Sequence, residues 1–128
     1  MPIGKEVGAF TSTATSMTQA IDGAGKRTFT MNFEGSVSGG WEGAGLSTIH
    51  ATAANDDLSA GTFTGNFAVY LEGGGVAAGS GSGVFGSCGE HKWQLNGVGL
   101  LTDGTRLAFE STLALDGRSL NGKMYEIG

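Results

Sequence analysis

Thr28-Phe29-Thr30-Met31-Asn32-Phe33-Glu34-Gly35-Ser36-Val37-Ser38-Gly39-Gly40-Trp41 alternates between two kinds of residue. Phe29, Met31, Phe33, Val37 and Trp41 keep one phase, with Gly35 and Gly39 filling its gaps. Thr28, Thr30, Asn32, Glu34, Ser36 and Ser38 keep the other. A period of two predicts a β-strand with one dry and one wet face. Because the phase persists through both glycines, the segment is expected to run as one long strand bent at Gly35 and Gly39. A hairpin there would have no reason to preserve it.

Working outward, the same alternation recurs between turn signals. Extended segments are expected at 7–18, 46–53, 62–71, 76–85, 90–101, 106–115 and 119–127. Asp22-Gly23-Ala24-Gly25, Asn55-Asp56-Asp57, Gly73-Gly74-Gly75, Asp103-Gly104 and Asp116-Gly117 separate them, and such pairs favour tight turns. Asn96-Gly97 and Asn121-Gly122 fall inside proposed strands, so extra turns there would raise the count. No segment carries helical spacing with caps. The expectation is a single domain over residues 1–128, all-β, an eight-stranded antiparallel up-and-down barrel, either open inside or flattened. Closure would remove the exposed edges of such a meander.

Composition narrows the function classes. Among 128 residues there are 25 glycines and one proline. Glycine at that level in strands suits hairpins, bulges and bent strands. Seven basic against twelve acidic residues leave a net charge of −5. That balance argues against nucleic acid and anionic membranes as partners. Cys88 is the one cysteine, which fits a reducing compartment. No apolar run reaches the roughly 18 residues of a membrane helix. The segment at the amino end lacks the apolar core of a signal peptide. A cytoplasmic protein is expected.

Phe29 to Gly39 joins an aromatic strand to a Gly-x-x-x-Gly segment, Gly79-Ser80-Gly81-Ser82-Gly83-Val84-Phe85-Gly86 forms a glycine-serine strand, and Leu115-Asp116-Gly117-Arg118-Ser119 forms a turn. Together these resemble the allene-oxide-cyclase-like barrel superfamily, particularly its small bacterial members of unknown function. The resemblance implies an eight-stranded antiparallel barrel, often oligomeric, around an apolar pocket. It also implies binding of hydrophobic small molecules or, in some members, a cyclisation steered by that pocket. No functional residue carries over from it.

The residues themselves offer few catalytic arrangements. Cys88, His91 and His50 are too few for a zinc site without fortuitous help, so no metal and no cofactor are expected. There is no Gly-x-Ser-x-Gly elbow, and no P-loop ending follows the glycine-serine run. Glu110, His91 and His50 remain as acid or base candidates, provided the fold turns them inward. With aromatics inside, Glu34, Glu42 and Glu110 belong on the wet face. Phe29, Met31, Phe33, Trp41, Phe63, Phe67, Trp93 and Phe109 are then the expected pocket wall. The small residues of 76–86 opposite that bulk suggest a partly open interior. The leading expectation is binding of a small hydrophobic molecule there. A cofactor-free isomerase or cyclase using the same cavity is the alternative, and a packed barrel that forms a homodimer or homotrimer is the third.

Overall fold

The computed structural model describes residues 3–127, with side chains from residue 4 onward. Its strands are β1 (Ile3–Ile21), β2 (Arg27–Ser38), β3 (Gly43–Ala53), β4 (Ala60–Leu71), β5 (Val76–Gly89), β6 (Lys92–Leu101), β7 (Arg106–Ala114) and β8 (Ser119–Ile127). Each pairs antiparallel with the next in chain order, and β8 returns to β1. The result is a closed eight-stranded up-and-down barrel with no free edge. Asn96-Gly97 and Asn121-Gly122 lie within β6 and β8 as strand residues.

The alternation seen in the sequence sorts side chains between inside and outside. Odd positions of β2 to β7 face inward, including Met31, Phe33, Ile49, Val69, Leu95, Leu107 and Leu113, all buried. On β8 the inward positions are even, with Leu120 and Met124 buried. On β1 the phase changes midway. Ala14 pairs with Phe33 and Ser16 with Asn32, which leaves Thr15 as a bulge. The extra residue brings both Phe10 and Met17 against the core despite their odd separation.

Two apolar clusters fill the barrel, one toward each end. The first gathers Met31, Phe33, Ile49, Leu95, Leu113 and Leu120, with Phe29, Phe63, Phe85 and Trp93 packed against it. The second gathers Val37, Val69 and Met124, with Trp41, Phe67, Leu71 and Phe109 around them. Phe10 touches both.

The bent-strand expectation for 28–41 holds only to Ser38. Gly39 takes a φ of 87°, which a residue with a side chain adopts at a cost, and the chain reverses there. Glu42 Oε2 accepts a hydrogen bond from the Gly39 amide at 2.6 Å, closing the turn. Trp41 therefore lies in the β2–β3 connection. Its amide donates to the Val7 carbonyl at 2.7 Å, and its ring covers the second cluster. His91, expected on a strand beside Trp93, lies in the β5–β6 turn with φ 55°.

Candidate functional site

Glycine and serine occupy inward positions around the middle of the barrel, where larger residues would fill it. On the β4–β7 side, aromatic rings lie over the glycines. Phe67 Cζ is 3.1 Å from where a Cβ on Gly79 would stand, and Phe63 Cζ is 3.0 Å from that point on Gly97. Phe109 Cε2 covers Gly99, 2.6 Å from where a Cβ there would stand. Phe67 and Phe109 meet edge to face, with centroids 5.5 Å apart at 78°. The glycine floor thus seats rings flat against the wall, and most of the interior is packed.

What stays open is a cavity of about 110 Å³ between the two clusters. Ile49, Leu95, Leu120 and Phe63 of the first cluster and Val37, Val69, Met124, Phe67 and Phe109 of the second contribute to its lining. Gly35, Gly45, Gly65 and Gly81 leave room around it. The inward polar groups are three hydroxyls, from Ser12, Ser47 and Ser111. Ser12 Oγ donates to the Leu120 carbonyl at 2.6 Å. A second hollow, about 290 Å³, opens between the β1–β2 and β3–β4 turns and is bordered by Lys26, Arg27 and Asp56, all solvent-exposed.

Of the wall residues expected from sequence, Phe63, Phe67 and Phe109 line the cavity. Phe29, Met31 and Phe33 point inward but pack into the first cluster, where Phe33 is only 2% exposed. Trp93 closes that end of the barrel, its indole Nε1 donating to the Leu58 carbonyl at 2.9 Å. Trp41 covers the other end. Phe10, Val37, Ile49, Val69, Leu95, Leu120, Met124 and the three serines line the cavity without having been among the expected wall residues. For Phe10 the bulge at Thr15 hid the phase, and for the serines nothing distinguishes them from the many serines of the outer face.

None of the three acid–base candidates lines the cavity. His50 is on the outer face of β3, its Nδ1 3.2 Å from Thr30 Oγ1. His91 is exposed in its turn. Glu110 is exposed on the outer face of β7, where Tyr125 donates its hydroxyl to Oε1 at 2.8 Å. That bond, made to a carboxylate, raises the Tyr125 pKa above the usual 10.0. The fold keeps the three apart, so they form no common site. Among the described residues no group of three or more His, Cys, Asp or Glu could hold a metal ion. Cys88 is exposed at the β5 bulge.

No family model, curated protein or solved structure matches the chain. No helix among the described residues is long and apolar enough to cross a membrane. What the chain can do must therefore be argued from its own cavity and surfaces.

Proposed function

We propose that the barrel binds a compact, uncharged, predominantly apolar molecule in the cavity at its middle. The observation that carries this reading is a predominantly apolar space of about 110 Å³ in a core that is otherwise packed with rings. Cavities of roughly 150 Å³ with such linings stay dry and take up benzene or xenon. Drug-sized ligands occupy about 300–1,000 Å³, so the occupant here is on the order of six or seven non-hydrogen atoms. The lining offers hydroxyls but no carboxylate, imidazole, amine or thiol, which favours a binder over an isomerase or cyclase. The resemblance to the allene-oxide-cyclase-like barrels points the same way, since an apolar pocket is what it implies. The exposed thiol of Cys88 suits a reducing, cytoplasmic setting.

The test is thermal-shift and calorimetric titration with benzene, toluene, phenol and xenon. A ligand that binds only the folded barrel raises its melting temperature in a concentration-dependent way. If none of the four binds at millimolar concentration, the reading is overturned.

A second reading rests on a different observation, the distribution of charge. β3, β4 and β5 contain no Asp, Glu, Lys or Arg, and β6 contains only Lys92 at its start. The outer wall they form carries exposed Leu46, Tyr70, Val76, Val84, Val98 and Leu100 among threonines, serines and asparagines. We propose that a second copy of the chain docks there. Two acidic molecules meet on this wall without opposing carboxylates, and hydroxyls and amides both donate and accept, so an identical face can satisfy them about a two-fold axis. Four strands about 4.8 Å apart and about 35 Å long give a wall of about 670 Å², within the ~600–1,000 Å² that one partner contributes to a standard interface. Sedimentation equilibrium should show a dimer that Val98→Lys splits. A monomer at 100 µM in the unsubstituted protein would rule it out.

A further inference from the structure

Two of the three inward hydroxyls of the cavity, those of Ser47 and Ser111, make no hydrogen bond to another described residue, and Ser111 is the more deeply buried. Ser111, on β7 between Leu95 of β6 and Gly122 of β8, is 7% exposed. Every fully enclosed side-chain nitrogen or oxygen among the described residues has a hydrogen-bond partner. Ser111 Oγ makes no hydrogen bond to another described residue, so it is not fully enclosed, and Ser111 is part of the cavity lining. Ser12 differs, because its hydroxyl is already spent on the Leu120 carbonyl. Ser47 lies on β3, across the barrel, and is half-buried. Gly122 keeps the neighbourhood of Ser111 clear, since a Cβ there would stand 2.6 Å from the Ser111 Cβ.

A hydroxyl with no partner in apolar surroundings is unfavourable, and a purely hydrocarbon occupant would leave it so. An occupant with its own hydroxyl or carbonyl oxygen would complete it. A charged occupant would meet no counter-ion, because no ionisable side chain lines the cavity. We infer that Ser111 is the polar anchor of the cavity, and that the ligand class is a compact neutral alcohol, phenol or cyclic ketone bearing a single oxygen. This rests on the binding reading above and specifies its ligand.

Phenol and toluene separate the two ideas, since they differ by a hydroxyl in place of a methyl. Both are titrated calorimetrically into the unsubstituted protein, Ser111→Ala and Ser111→Cys, with benzoate as the charged probe. Ser111→Cys places a slightly larger side chain with a weaker donor there, which covers the case in which Ser111→Ala fails to fold. Phenol affinity should fall about 3- to 10-fold in the variants, the range for one neutral hydrogen bond, while toluene affinity is kept or improved. Benzoate should not bind. Equal phenol and toluene responses to substitution, or binding of benzoate, would overturn the anchor while leaving an apolar binding cavity in place. Failure of both phenol and toluene to bind the unsubstituted protein would remove the cavity reading as well.

Discussion

Gly99 shows how a single missing methyl arranges the interior. The Phe109 ring occupies the space its Cβ would need, at 2.6 Å, and the Ser80 carbonyl oxygen is 2.7 Å from the same point. Neither neighbour can withdraw easily, because one is backbone and the other is wedged against Phe67. Gly99→Ala is therefore expected to destabilise the barrel by about 1–3 kcal/mol, the usual range for overpacking. Gly23, in the β1–β2 turn, has nothing within 4 Å of its own Cβ position, and Gly23→Ala should change stability by no more than about 0.5 kcal/mol. Urea denaturation of the two variants would decide the point, and equal losses would refute the ring-seat account. Tyr125 offers a second check at this scale. Its raised pKa comes first from donating to Glu110, then from burial and the charges of Glu110 and Glu6. The folded state holds the phenolic proton more tightly, so this contribution to stability is complete below the unfolded pKa and is lost as pH rises through the folded value. Glu110→Gln should bring the ultraviolet titration of Tyr125 back toward 10; an unchanged midpoint would mean the bond is not formed in solution.

Among the elements, the turns after β1, β3, β4, β6 and β7 and the paired phases of β2 to β7 were legible from sequence because each obeys a local rule. Asp103 in the β6–β7 turn is an example. Its carboxylate accepts from the Thr105 amide at 2.9 Å, and Gly104 takes φ 92° beside it. That hydrogen bond holds the Asp103 pKa below 3.8. The group therefore stabilises the fold above pH 3.8 and loses that contribution as pH falls through its folded value. Melting curves of Asp103→Ala against the unsubstituted protein should differ at pH 6 and converge toward pH 2; a constant gap would contradict the assignment. Less was legible where an element departs from its own rule. The β1 bulge at Thr15 reverses the phase, which concealed Phe10 as a core and cavity residue. The turn at Gly39 preserved the phase of β2 and so disguised Trp41 as strand. The cavity itself was only half visible. Alternation told that Phe63, Phe67 and Phe109 face inward, but whether rings fill or frame the interior depends on which glycines they rest over, across strands distant in sequence. Ser111 was invisible for the same reason, being one of many serines until the closed barrel encloses it.

For the whole molecule, the uneven distribution of charge supplies the most demanding test. Arg106 and Glu110 on β7, Lys123 and Glu126 on β8, Lys5 and Glu6 on β1, and Arg27 and Glu34 on β2 put charge on half of the barrel, including the Lys123–Glu6 pair at 3.5 Å. The other half, β3 to β6, is nearly free of it. With a net charge of −5, two copies repel at any distance within a Debye length, about 10 Å at 0.1 M salt and about 3 Å at 1 M. If they dock through the uncharged wall, salt screens that repulsion without weakening the contact, and burial of Val84, Val98 and Leu100 is unaffected by it. The dimer constant should then tighten as sodium chloride rises from 0.05 to 0.5 M. Docking through the β7–β8–β1–β2 side would instead rely on pairs such as Lys123 with carboxylates of the other copy, and salt would loosen it. Sedimentation equilibrium across that salt range distinguishes the two faces by the sign of the slope, and a dimer that weakens with salt would place the interface on the charged half.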